Sequence, residues 1–114
     1  MKLKAGEIKS LYFDVKADVN AAPFTVIAIK FIAPDLTETE RTNPLVTAPI
    51  VDSPVLDDED EEGIILPANT YFLYRSQAGE FVQLGTWTAC TRYEDAQPSL
   101  VYGDSFTFTV EAPC

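Results

Sequence analysis

The amino-acid sequence predicts an all-β domain, a single antiparallel β-sandwich spanning residues 1–114. Three observations predict it. A period of two or a β-rich composition marks five segments as strands, with the clearest alternation in Leu11–Val15 and Phe106–Val110. Turn compositions separate these segments at fairly regular spacing, as in sandwiches and small barrels. The chain carries eight prolines, placed so that no long helix fits between them.

Taken in order, Leu11, Phe13 and Val15 alternate with Tyr12, Asp14 and Lys16, a half-buried strand. Val26 to Ile32 places Ile27, Ile29 and Phe31 on one face and Val26, Ala28, Lys30 and Ile32 on the other. Apolar groups on both faces predict a central strand. Leu36 to Thr42 reads as a loop, with at most one helical turn. Asn69 to Arg75 is rich in Thr, Tyr and Phe, as strands are. Trp87, Ala89, Thr91 and Tyr93 share one face; Phe106, Phe108 and Val110 share one face of the last strand. These two strands predict a hairpin around a loop from Glu94 to Gly103. Phe13, Phe31, Trp87, Phe106 and Phe108 are the expected core anchors. Between the strands lie Asn20–Pro23, Ala33-Pro34-Asp35, Asn43-Pro44, Ser53-Pro54, Ala78-Gly79 and Tyr102-Gly103-Asp104, where glycine permits positive φ and proline fixes φ.

Composition narrows the function classes. With 46% hydrophobic and 23% charged residues the chain has ordinary globular composition, not that of a disordered segment. A net charge of −10, with only eight Lys and Arg, argues against nucleic acid, whose binders neutralise phosphates with cations. It disfavours anionic membrane surfaces equally. No apolar run approaches the roughly 20 residues needed to span a bilayer. Met1 to Gly6 is basic, but no apolar segment of about 7–15 residues follows it as in a signal peptide. The chain is therefore expected to be made in a cytoplasm and not exported. Histidine is absent. That removes His-activated nucleophiles, the histidine general base and the commonest zinc ligand, and no cofactor or enzymatic activity is expected.

Four features invite sharper readings. Asp57, Asp58, Glu59, Asp60, Glu61 and Glu62 form an unbroken acidic run before Gly63. Six adjacent carboxylates repel one another, which predicts a solvated loop. Asp58, Asp60 and Glu62 stand at alternate positions as in a calcium loop, but the place of the bidentate Glu is taken by Asn69, and Pro67 interrupts. The run also suits docking on a basic neighbour, where it would steer approach and set register. Cys90 and Cys114 fit no internal disulfide: in the predicted hairpin they lie roughly 20–25 Å apart at about 3.3 Å per residue. Cys90 reads as a small sheet residue, and Cys114 as a free thiol or a link to another chain. Trp87 follows Gly85 and reads as a core residue; an exposed sugar platform is its alternative. Asp14, Asp35, Glu80 and Glu94 offer carboxylates of the type glycosidases pair, but nothing in the sequence sets two of them at a catalytic separation.

The order of these motifs resembles a family of small immunoglobulin-like domains in tailed bacteriophages, among them the N-terminal domain of upper baseplate proteins and short stand-alone virion proteins. The similarity begins with the Gly-acidic turn and strand Gly6-Glu7-Ile8-Lys9-Ser10-Leu11-Tyr12-Phe13-Asp14-Val15. It continues through Val26–Ile32 into Ala33-Pro34-Asp35-Leu36-Thr37, then Thr70-Tyr71-Phe72-Leu73-Tyr74. It closes with Leu84-Gly85-Thr86-Trp87-Thr88-Ala89, Arg92-Tyr93-Glu94-Asp95 and Phe106-Thr107-Phe108-Thr109-Val110. Two departures stand out: the Asp-Leu-Thr segment enters a polar, Pro-interrupted stretch, and the acidic run is outside the pattern.

The resemblance implies an immunoglobulin-like fold and no catalytic residues. It implies a virion structural or accessory protein that docks on tail, baseplate, neck or capsid, repeated with the particle's symmetry. Other virion proteins and further copies of the chain are the expected partners. Residues 1–5 are expected as an arm and residues 112–114 as a tail, both ordered by neighbours. The alternative is a carbohydrate- or receptor-binding module with Tyr12, Tyr74 and Tyr102 as an exposed platform.

Overall fold

The computed structural model describes residues 2–16, 24–56, 63–95 and 100–113, and among them every regular element is a strand. They are β1 (Lys2–Lys4), β2 (Ser10–Asp14), β3 (Phe24–Ile32), β4 (Glu38–Thr42), β5 (Val46–Thr47), β6 (Tyr71–Arg75), β7 (Gly85–Asp95) and β8 (Leu100–Glu111). A five-stranded sheet runs β1-β8-β7-β3-β4, and a three-stranded sheet runs β2-β6-β5. The two pack face to face in a sandwich-like arrangement, since one apolar core draws on residues of both.

Each sheet buries one parity of its strands. Leu11 and Phe13 of β2 and Phe72 and Tyr74 of β6 point inward, against Ile29 and Phe31 of β3, Trp87 and Ala89 of β7, and Phe108 and Val110 of β8. Phe31 is the hub. Its ring lies 5.0 Å from Phe81, 5.4 Å from Tyr74, 6.1 Å from Phe13 and 6.4 Å from Phe108. Trp87 stacks on Phe108 at 6.2 Å and meets Phe81 edge-on at 5.1 Å, with its indole N–H donating to the Gln83 carbonyl. Phe106 is partly covered and packs against Phe13 at 5.6 Å.

Several sequence-based expectations are corrected. The first sheet is mixed, not antiparallel, because β1 lies parallel to β8. Residues 2–4 are thus a strand of the chain's own sheet and not a neighbour-ordered arm; Leu3 is buried in the core and anchors it. Glu38–Thr42 is an edge strand paired with Ala28–Ile32, although its side chains show no apolar alternation. The β7–β8 ladder continues to Glu94↔Leu100, so most of the segment expected as a loop is sheet. The tail residues Ala112 and Pro113 follow the end of β8, belong to no strand and are exposed, and Cys114 lies outside the described residues.

A bulge divides the long hairpin. Cys90 faces Ser105 and Arg92 faces Tyr102, so Gly103 and Asp104 together oppose Thr91. A Cβ on Gly103 would lie 2.2 Å from the Thr91 hydroxyl oxygen, and Thr91 is buried and β-branched, so it cannot swing aside. Gly103→Ala is expected to cost about 1–3 kcal/mol of stability by overpacking. Chemical denaturation of Gly103→Ala and of Gly103→Ala with Thr91→Ala checks this: the second change should recover part of the loss. Gly85 meets a similar limit at the start of β7, where φ is +126° and a Cβ would approach Pro34 to 3.1 Å.

Candidate functional site

Among the described residues the candidate carboxylates do not face one another in pairs, and the feature that emerges is unpaired surface. The first such surface is the excursion between β5 and β6. Its two arms are laced together by Asn69 N–H to Pro49 C=O, Ala68 N–H to the Asp52 carboxylate, Ser53 N–H to Leu66 C=O, and a two-way bridge between Leu56 and Ile64. The buried Ser53 hydroxyl accepts from Leu66 N–H at 2.8 Å and donates to Pro54 C=O, while the Tyr71 hydroxyl donates to Val51 C=O. The result is a tied stem anchored by Leu66 and Tyr71, with Ile50, Val51, Val55 and Ile65 turned outward. Ile50 is 76% exposed and Val51 63%, which is uncommon for adjacent aliphatic residues on a well-bonded element. Asp57, Asp58, Glu59, Asp60, Glu61 and Glu62 join the two arms in sequence and lie outside the described residues, so their calcium and docking readings do too. Among the described residues no three His, Cys, Asp or Glu groups are placed to hold a metal ion.

The second surface is the side where both sheets end. β1 covers only Thr109–Glu111 of β8, and β2 is the outermost strand of its sheet. Among the described residues, the outer edges of β2 and of β8 before Thr109 therefore lack a strand partner. Edges of this kind are sites for pairing with another chain. Lysines bracket the opening. Lys9 donates to the Lys2 carbonyl at 3.2 Å, Lys16 pairs with Asp104 at 3.5 Å, and Lys2 and Lys4 both reach Glu111. Hydrogen bonds from Lys4 and Lys2 hold the Glu111 carboxyl below the usual glutamate range. A third apolar group lies where the Pro34–Leu36 turn is tied to the β6–β7 connection by Asp35 N–H to the Gln83 side chain. Leu36, Val82 and Leu84 are exposed there, and Leu36 sits at φ +72°.

The charged clusters are structural. Glu80 accepts from the Tyr74 hydroxyl at 2.6 Å, from Arg41 Nε at 2.9 Å and from Gln77 N–H at 3.0 Å. Burial, then the Glu80 hydrogen bond, pushes the Tyr74 phenol well above its ordinary range. Across the outer face of the five-stranded sheet, Arg92 bonds Glu40 of β4 and Glu94 of its own strand. The Arg92 hydrogen bond lowers the Glu40 carboxyl. The four carboxylates weighed as acid or base have separate partners: Asp14 takes Lys16 N–H, Asp35 takes Thr37 N–H, Glu80 takes Tyr74 and Arg41, and Glu94 takes Arg92.

The tyrosine platform is overturned. Tyr74 is 1% exposed, inside the sandwich. Tyr12 lies on the outer face of the three-stranded sheet, half-buried and 5.9 Å from the Tyr71 ring. Tyr102 is 72% exposed, but it opposes Arg92 on the outer face of the other sheet. Three rings on three levels of a sandwich cannot be coplanar. Trp87, the other sugar-platform candidate, is buried. Cys90 is a free, half-buried thiol opposite Ser105. The exposed stem was invisible to sequence reasoning, because Ile50, Val51, Val55 and Ile65 carry neither strand nor helix periodicity.

Compared with protein-family models, with curated proteins and with solved structures, the chain matches none of them.

Proposed function

We propose that this chain is an immunoglobulin-like sandwich that works without catalysis, as a repeated structural or accessory subunit docking on other virion proteins of a tailed bacteriophage. Strand order supports the fold part of the reading. In variable-type immunoglobulin domains the strands B, E and D face a sheet containing G, F, C and C′. Here β2-β6-β5 faces β8-β7-β3-β4 in the corresponding chain order, with β1 added beside β8. Two features of antibody domains are absent from the described core: no disulfide joins β2 to β7, where Leu11, Phe13 and Ala89 pack instead, and the tryptophan stands on β7 and not on β3.

The observation that carries the docking part is the apolar stem between β5 and β6. A stem tied by backbone hydrogen bonds yet turning Ile50, Val51, Val55 and Ile65 to solvent offers a preformed contact surface. Repetition on a symmetric particle would multiply weak contacts into avidity. The motif order from Gly6-Glu7 to Phe106–Val110 supplies the virion setting. The test is size-exclusion chromatography with light scattering on the chain mixed with the products of genes flanking its own. Co-elution in a larger ring or shell is expected, and Ile50→Asp with Val55→Asp should abolish it. Elution apart from every neighbour overturns the reading.

A further inference from the structure

The two sides of the five-stranded sheet differ in character. β4 closes one of them with Glu38-Thr39-Glu40-Arg41-Thr42, three charges in five residues, which discourages a further strand. The other side is β8, and β1 covers only Thr109 to Glu111 of it. Ahead of that short ladder runs Leu100-Val101-Tyr102-Gly103-Asp104-Ser105-Phe106-Thr107, with one charge in eight residues. Tyr102 is 72% exposed and Leu100 47%, on a strand laddered to β7 along its other side.

Peptide groups on this edge have a definite phase. Ala5 N–H bonds the Glu111 carbonyl, so Glu111 turns its peptide groups toward β1. Sides alternate along a strand, so Thr107 and Ser105 turn theirs to the open edge. The bulge at Gly103 and Asp104 inserts one residue and shifts the phase, so Tyr102 and Leu100 face the edge next. Among the described residues none bonds the outward peptide groups of these four.

We infer that two copies of this chain pair through β8, antiparallel from Leu100 to Thr107, in one continuous sheet from β4 of one copy to β4 of the other. The strand is its own complement. Only one antiparallel register engages all four outward residues of both copies, with Leu100 opposite Thr107 and Tyr102 opposite Ser105. In that register Val101 meets Phe106 of the second copy. Both lie on the inward parity, with Val101 39% exposed and Phe106 partly covered, so the pair extends the apolar layer from one copy into the next. Asp104 comes opposite Gly103, which has no side chain to obstruct it, and its carboxylate is already paired with Lys16 at 3.5 Å. The incoming strand starts at Leu100, opposite Thr107, and so leaves Thr109 onward to β1. Such a contact is isologous and closes on itself as a twofold dimer. The inference deepens the repeated-subunit reading, on which it rests, by naming the edge through which copies meet; the β5–β6 stem takes no part in it.

Light scattering after size-exclusion chromatography, with amide hydrogen exchange, tests it on the full chain and two variants. The unmodified chain is expected to pass from monomer to dimer with rising concentration, and the amides of Tyr102, Ser105 and Thr107 should gain protection in step. Thr107→Pro removes an outward N–H that the β7 ladder does not use, a place where edge strands accept proline, and should leave a monomer. Native emission from the buried Trp87 shows that the variant is folded. Lys16→Ala changes an exposed side chain outside the edge, yet leaves two carboxylates facing across the twofold, and should weaken the dimer at least about tenfold. A chain that stays monomeric up to its solubility limit, a dimer in which those amides still exchange freely, or a dimer that folded Thr107→Pro leaves intact overturns the inference. Docking on other virion proteins is read separately, by mixing with flanking gene products and by Ile50→Asp with Val55→Asp, so failure of one reading is distinguishable from failure of the other.

Discussion

Phe31→Ala is expected to lower the unfolding free energy by about 3–5 kcal/mol, the largest loss from any single truncation in this chain. Phe31 sits on β3, between β7 and β4, and its side chain is 1% exposed. Its ring meets Phe13 of one sheet, Phe108 of the other, Tyr74, and Phe81 from the β6–β7 connection. Most of these contacts are edge-on or tilted, the geometries in which ring quadrupoles attract and add about 0.5–1.5 kcal/mol per pair beyond burial. No neighbour can slide into the vacated space, because β3 is held on both sides by strand ladders to β4 and β7. A domain of this size has about 5–15 kcal/mol of stability, so the loss is a large share of it. Denaturant titration checks the expectation: the midpoint should fall with an unchanged slope. Leu36→Ala is the control, at an exposed turn position where the change should stay within about 0.5 kcal/mol. A loss below about 1 kcal/mol for Phe31→Ala would contradict the hub assignment.

Glu80→Ala is expected to cost about 2–4 kcal/mol, although it removes a polar residue from a connection between strands. Its carboxylate is the common acceptor for Tyr74, Arg41 and Gln77, and its side chain is only 9% exposed. Removing it leaves the buried Tyr74 hydroxyl without its acceptor and takes the carboxylate from Arg41. Arg41 keeps 30% of its side-chain surface in water, which places the cost below that of a fully buried pair. Tyr74→Phe should lose less than Glu80→Ala, and the double variant should lose less than the sum, because both act on one network. Alkaline titration gives a second readout. Tyr74's phenol is held above its ordinary value of 10.0, so its contribution is fully present below pH 10 and is lost as pH rises beyond it, when the unfolded chain ionises first. Stability that shows no decline above pH 10 in the wild-type chain, or an equal decline in Tyr74→Phe, would contradict this.

Much of the inner layer was legible in the sequence. Leu11, Phe13, Ile29, Phe31, Trp87, Ala89, Phe108 and Val110 fall on the inward parity of strands placed by alternation. Phe81 was not, because it lies in a connection and has no periodic neighbours, yet it fills the centre of the ring cluster. Tyr74 was placed wrongly because Tyr71-Phe72-Leu73-Tyr74 is apolar at every position, so alternation cannot say which parity faces in. Pairing with β2 decides it: Leu11↔Tyr74 and Phe13↔Phe72 put Tyr74 inside.

The sequence by itself determined the all-β character and the location of five strands, most of them through alternation. Alternation is a local property, imposed by a backbone that turns successive side chains to opposite faces. Only the tertiary structure decided the rest. Lys2–Lys4, Glu38–Thr42 and Val46–Thr47 become strands because β8, β3 and β6 offer them open ladders, not because of their own composition. Which edges stay unpaired, and which side the lysines share, likewise follow from strand order. Pairing joins residues as far apart as Lys2 and Thr109, and such a partnership is selected by the free energy of the whole fold and leaves no trace in a local window of sequence.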